Sequence, residues 1–282
     1  MKTVLVTGGG GFLGKAIIKQ LLEEGNVSIK SLSRSSYPEL IEMGCTTVQM
    51  DLCNPNMDDL IAALEGVDII FHVAAKAGVW GSKESFWSIN VIGTRNLLEA
   101  SRRAGVKKFI YTSSPSAVWN GGDEINLTEN QCPYPDEEDY LTHYPLTKAT
   151  AEKEVLKANQ EGFATTALRP HLIWGPEDPH LVPRVIERHK RLRIVGDGTN
   201  KVGLTYVDNA AYAHILAERA LIDHTSPNAG KAYFITDLEP VVLWNWLNEL
   251  LHTLGYPKIS KNISQIVMCI CEIRIYFNCF SS

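Results

Sequence analysis

Short apolar runs alternate with stretches of helical period through the first two-thirds of the chain. Thr3 to Thr7 predicts a buried strand, and Phe12 to Glu24, apolar at 13, 17, 18, 21 and 22 and stopped by Gly25, predicts a helix. Strands follow at Val27 to Leu32, at Thr47 to Met50 and, fully apolar, at Asp68 to Val73. A short helix is expected over Asp58 to Leu64 and a long one over Ser85 to Ala104, closed by Gly105. Lys108 to Ser113 reads as a strand, Pro145 to Asn159 as a helix and Thr165 to Arg169 as a further strand. Strand and helix in strict alternation imply an α/β protein: a parallel sheet, doubly wound, with helices on both faces.

The alternation breaks after Pro170, where segments rich in Pro, Gly and His run through 171–184 and 196–203. The expected organisation is a nucleotide-binding domain over 1–169, rejoined by 204–236. A smaller C-terminal substrate lobe is expected from 170–203 and 237–282. The tail from Ile263 to Phe280 is apolar and β-branched but carries Glu272 and Arg274. It is too short and too charged for a transmembrane helix and reads as a buried strand or a disordered end.

Composition narrows the picture. Apolar residues make up 45% and charged residues 21% of 282, as in a globular protein. A net charge of −5 speaks against a nucleic-acid partner. The N-terminus runs straight into a strand with no leader-like segment, so a cytoplasmic location without a membrane anchor is expected. The six cysteines form no CxxC pair and no histidines stand at zinc spacing, which predicts reduced thiols and no metal site.

The candidate chemistry begins at the first turn, Thr7-Gly8-Gly9-Gly10-Gly11-Phe12-Leu13-Gly14. A strand, a glycine turn and a helix in that order form a Rossmann-type cradle for a dinucleotide. Gly8 permits the tight turn, Gly11 lets the pyrophosphate approach the backbone, and Gly14 lets helix and sheet pack closely. The free N–H groups of the helix start, at Phe12 and Leu13, favour the anion. An acid after the second strand would bind the ribose of NAD; this chain has Ser33-Arg34-Ser35-Ser36 there, which favours NADP(H) while leaving NAD(H) possible. Tyr144 and Lys148, four apart at a predicted helix start, share one face. A phenol beside an ammonium, whose charge is expected to lower the phenol pKa, can exchange a proton with a carbonyl while a nicotinamide exchanges hydride. The third member should come from the strand end Thr112-Ser113-Ser114, with Ser114 favoured over Ser113.

These motifs resemble the extended short-chain dehydrogenase/reductase family, with likeness from Met1 to about Ser264. The resemblance is carried by the glycine run, Asp51-Leu52, His72-Val73-Ala74-Ala75, Thr112-Ser113-Ser114, the Tyr144/Lys148 pair, Leu168-Arg169-Pro170 and Tyr206-Val207-Asp208-Asn209. It implies that Asp51 and Leu52 lie by the adenine, that Ala74, Ala75, Thr112 and Pro170 line the cofactor, and that Asn90 supports the active site. Within the family, three runs are similar to the 3β-hydroxysteroid dehydrogenase branch and, inside it, to 2-alkyl-3-oxoalkanoate reductases of olefin synthesis. They are the runs at 74–81, at 168–176 and at 196–202. The likeness implies NADPH-dependent reduction of a lipid-like 3-oxo acid. A 3β-hydroxysteroid or sterol-4α-carboxylate 3-dehydrogenase is the alternative; a non-catalytic dinucleotide-binding protein and a sugar-nucleotide epimerase are more distant. Val202 argues against the epimerase, because a valine stands where those relatives hold a diphosphate with arginine. Relatives often dimerise through two helices, for which 85–104 and 145–159 are the candidates. The likeness dissolves after Ser264, so the substrate lobe is expected to be altered there.

Overall fold

A computed structural model of the chain describes residues 1–264 apart from 79 and 123–125. Most of the apolar tail, including the expected strand or disordered end beyond 264, lies outside the described residues. In chain order the elements are β1 (Lys2–Thr7), α1 (Phe12–Glu24), β2 (Val27–Ser33), α2 (Pro38–Glu42), β3 (Thr46–Gln49), α3 (Met57–Ala63), β4 (Ile69–His72), α4 (Lys83–Trp87), α5 (Gly93–Arg103), β5 (Lys108–Thr112), α6 (His143–Lys157) and β6 (Ala164–Pro170). Then come β7 (Ile173–Trp174), α7 (Leu181–Arg188), β8 (Ile194–Val195), β9 (Lys201–Val202), β10 (Thr205–Tyr206), α8 (Val207–Ala220), β11 (Ala232–Ile235), β12 (Val241–Val242), α9 (Leu243–Thr253) and β13 (Asn262–Ile263).

Seven parallel strands form one sheet in the order β11-β6-β5-β4-β1-β2-β3. Alternate residues of each strand face opposite sides. Leu5, Leu32, Ile70, Phe109 and Ala167 therefore share one core with Leu60 of α3, Leu97 and Leu98 of α5, and Ala151 and Val155 of α6. Val4 and Val6, fully buried too, point to the other side, where α1 and α8 pack together. This is the doubly wound Rossmann-type architecture that the alternation of periods predicts.

The chain forms two compact units, Met1–His171 with Tyr206–Thr236, and Leu172–Thr205 with Asp237 onward. The second has its own small core, in which Val185 of α7 meets Leu247 and Leu251 of α9 and Ile259. Within it β9 pairs antiparallel with β12, Val202 opposite Val241, and β8 pairs parallel with β13.

Two local features differ from the periodicity reading. The single helix expected over Ser85 to Ala104 is α4, then a π-helical turn at Ser88–Ile92, then α5. The wider turn brings Asn90 inside, where it is 1% exposed. A count of apolar positions at 100° per residue does not register one extra residue in a turn. The short helix α2, with Pro38 in its first turn, had no amphipathic signal of its own.

Candidate active site

The residues singled out from sequence gather at one edge of the sheet. The glycine turn follows β1, Arg34 follows β2, Asp51 follows β3, Ala74 and Ala75 follow β4, Ser113 and Ser114 follow β5, and Pro170 ends β6. All are carboxyl ends. The strand order reverses beside β1, which has β4 on one side and β2 on the other. In an open α/β sheet that reversal opens a crevice for a ligand.

The turn after β1 fits a dinucleotide pyrophosphate. Gly8 has φ +67°, a left-handed conformation, and a Cβ there would sit 3.0 Å from the Ala74 backbone. At Gly14 a Cβ would be 2.2 Å from the Gly8 carbonyl oxygen, so only glycine lets α1 start this close to β1. At Gly11 the nearest obstacle is that same oxygen at 3.2 Å. The start of α1 has no side-chain cap and no acid in its first turn. By contrast Asn56 caps α3 and Ser82 caps α4. An uncapped helix start with glycine in front leaves N–H groups and dipole for an anion.

Farther along this edge, Arg34 is exposed, and its charge assists in holding the Asp51 carboxyl below the usual range. The main cause of that lowering is the Cys53 N–H, which donates to Asp51 Oδ1 at 2.9 Å. Leu52 is buried in the sheet core and its carbonyl accepts from Asn96 Nδ2. Thr112 is turned toward α8. Because His214 Nδ1–H must donate to the Ala210 carbonyl, its Nε2 accepts the Thr112 hydroxyl, at 2.8 Å.

The expected serine, tyrosine and lysine come together between β5 and the start of α6. Tyr144 lies beside Ser114, whose Oγ is 2.9 Å from Ser116 Oγ. Ser113 is 4% exposed, and its Oγ meets no partner among the described residues. Lys148, one turn beyond Tyr144, is 2% exposed. Its Nζ donates to the Thr112 carbonyl at 2.5 Å and sits 4.2 Å above the Tyr111 ring. Burial pulls the Lys148 pKa down to about 7, with the Glu152 charge opposing. Glu152, fully buried one turn further on, takes two-pronged donation from Arg169 and a hydrogen bond from the Tyr134 hydroxyl. The expected lowering of the Tyr144 pKa is not what the structure shows. Burial raises it, and the force in the other direction comes from Ser114. The reason is geometric: the Lys148 ammonium is engaged by the Thr112 carbonyl and the Tyr111 face.

A buried chain of polar groups joins the two halves of this edge. Thr94 Oγ1 donates to the Asn90 carbonyl, so it can only accept from His72 Nε2–H, at 2.9 Å. The other His72 nitrogen, Nδ1, then accepts the Thr7 hydroxyl at 2.7 Å, while Thr7 Oγ1 accepts the N–H groups of Val73 and Ala74. His72 is held neutral, its pKa lowered to about 3 by burial first and by Lys148 second. From Asn90 the chain continues through Nδ2 to Thr147 Oγ1, which donates to the Tyr144 carbonyl. The glycine turn and α6 are thus set in register by side chains. The sequence signal for this was present in His72 and Asn90, but the roles of Thr7, Thr94 and Thr147 had none.

The family profile described as the 3-beta hydroxysteroid dehydrogenase/isomerase family matches residues 5–265. The chain belongs to that family. It is accordingly an NAD(P)-dependent oxidoreductase acting on CH–OH or C=O groups. It is 47% identical over 264 residues to a 2-alkyl-3-oxoalkanoate reductase of Stenotrophomonas maltophilia (strain K279a), covering 93% of this chain and 78% of that protein. It is 39% identical to the decarboxylating sterol-4-alpha-carboxylate 3-dehydrogenase of Homo sapiens, over 90% of this chain and 67% of that one. Among solved structures, MoeE5 in complex with UDP-glucose and NAD matches at TM-score 0.74 and 26% identity, over 93% of this chain and 85% of that one. The match takes in all the described residues but the first four. No helix among the described residues is long and apolar enough to cross a membrane, and no cluster among them suits a metal ion.

Proposed function

We propose that the chain reduces a 2-alkyl-3-oxoalkanoate to the 3-hydroxy acid with NADPH, with Tyr144, Ser114 and Lys148 as the reacting group and its supports. The observation that carries this reading is the Ser114–Tyr144 hydroxyl pair beside a buried Lys148 at the carboxyl edge of the sheet. Gly8, Gly11, Phe12, Leu13 and Gly14, with Asp51, Leu52, Ala74, Ala75, Thr112 and Pro170 farther along the edge, would hold the dinucleotide, which when bound would supply hydride for the carbonyl carbon. The Tyr144 phenol gives its proton to the carbonyl oxygen as negative charge grows there. Ser114 donates a hydrogen bond to the same oxygen and fixes its position. Lys148, its pKa lowered to about 7, is suited to return a proton to the phenolate left on Tyr144 and to take one up in turn. NADP(H) is favoured over NAD(H) because no acid follows β2 and the exposed Arg34 guanidinium can pair with a 2′-phosphate.

The high identity to a 2-alkyl-3-oxoalkanoate reductase supports the substrate class. Val202 supports an apolar substrate, since a valine offers nothing to a diphosphate. The test is oxidation of NADPH and of NADH by the purified protein with 2-alkyl-3-oxoalkanoates, 3-oxosteroids and a UDP-sugar. Turnover with the long-chain 3-oxo acid and NADPH is expected. Turnover confined to steroids, or NADH used better than NADPH, would refute the substrate and the cofactor assignment respectively.

A further inference from the structure

We infer that Lys76 is the binding site for the substrate carboxylate. The inference rests on the proposed reaction and specifies how this chain tells an acid from a neutral ketone. In a 3-oxo acid the carboxylate carbon is two bonds from the carbonyl carbon. A site that grips the carbonyl oxygen must therefore take in a negative charge close by, and an unpaired charge there is costly.

Lys76 follows directly on Ala74 and Ala75 and is half-buried. Other cations of the same unit are already matched: Lys2 and Lys108 share Glu218, Arg169 grips Glu152, and Lys30 donates to the carbonyls of Ala63 and Glu65. Lys76 Nζ meets no carboxylate among the described residues. It donates to Ser85 Oγ at 2.7 Å and lies 4.9 Å from the centre of the Phe86 ring. Two of its three N–H donors are left for another acceptor. Phe86 is fully buried and meets the Tyr144 ring edge-on, with centroids 6.4 Å apart, so one side chain separates the ammonium from the proton donor.

The position is also built. The Lys76 N–H donates to Asn90 Oδ1 at 2.7 Å and its carbonyl accepts from Asn90 Nδ2 at 3.0 Å. Asn90 in turn holds Thr147 and, through it, the Tyr144 carbonyl. The backbone of the cation is thereby tied to the helix that carries the phenol. Gly81 makes room for the ammonium: a Cβ there would stand 2.9 Å from Nζ, on a backbone with φ +142°. A carboxylate replacing water on a half-buried ammonium makes a charge-assisted hydrogen bond, which is worth about tenfold or more in affinity.

The test compares wild type with Lys76→Met and Lys76→Arg in the oxidation direction, on a 2-alkyl-3-hydroxyalkanoate and on its methyl ester. For Lys76→Met the KM of the acid should rise about tenfold or more while that of the ester moves less than about twofold; Lys76→Arg should keep most of the acid affinity. Ester turnover also reports that the variant is folded. An equal change for acid and ester would overturn the assignment and make Lys76 a mere latch onto Ser85 of α4. If wild type oxidised the ester-free acid no faster than background yet still turned over steroids, the proposed reaction itself would fall.

Discussion

The glycine turn after β1 and the cluster between β5 and α6 serve one edge of the sheet by opposite means. At the turn the function lies in atoms that are missing. Gly8 and Gly14 leave no room for a Cβ, and α1 begins with no side-chain cap, so the backbone itself is the ligand surface. At the cluster the function lies in side chains and in what surrounds them. Lys148 and Glu152 are buried, Tyr144 is matched to Ser114, and a relay through Asn90 and Thr147 keeps the helix in place. The first kind of site tolerates no addition. The second tolerates subtraction of atoms structurally but not chemically.

Substitutions separate the two. The largest expected effect is Tyr144→Phe, which removes one oxygen at a partly buried position. Turnover should fall by about 10²–10⁴ while cofactor affinity, followed by NADPH fluorescence, stays within about twofold. Equal loss of both would mean that the phenol shapes the cofactor site and would dissolve the contrast. Gly14→Ala should do the reverse. Its Cβ would meet the Gly8 carbonyl oxygen at 2.2 Å, a backbone atom that cannot rotate away. Cofactor binding should weaken at least about tenfold, and stability in a urea titration should drop by about 1–3 kcal/mol. Unchanged affinity would show that the close approach of α1 to β1 is dispensable.

The test with the smallest expected effect on turnover is a pH slope in stability, which sharpens the buried side of the comparison. Burial lowers the pKa of His72 to about 3 and that of His214 to about 4. Above about pH 6.5 both are neutral folded or unfolded; below it the unfolded chain binds protons that the native chain refuses. Their contribution is therefore present above that pH and is lost as pH falls toward 4 and then 3, by up to about 1.4 kcal/mol per unit for each histidine. Lys148, lowered to about 7 by burial, acts in the same sense on the alkaline side: the cost of its buried charge destabilises the fold at neutral pH and fades as pH rises toward the ordinary lysine value. Urea midpoints at pH 5, 7 and 9 should rise in that order through these three groups. A flat profile between pH 5 and 7 would mean that the two histidines are not held neutral.

The sheet, the order of its elements and the glycine turn were legible in the chain because they rest on local signals. Strand and helix periods differ, and the run from Gly8 to Gly14 carries its own geometry. Tyr144 and Lys148 were legible as a pair because four residues make one helical turn. The π-turn at Ser88–Ile92 was not, since hydrogen bonds from Asn90 to residues 76 and 147, far off in sequence, favour it. Nor was the protonation of the site. Local spacing suggested an ammonium pulling the phenol pKa down, whereas burial raises the phenol and lowers the amine. The sequence alone determined which groups line one edge of the sheet; how strongly each keeps its proton was decided by the folded interior, because desolvation depends on everything packed around a group and on nothing in its immediate neighbours along the chain.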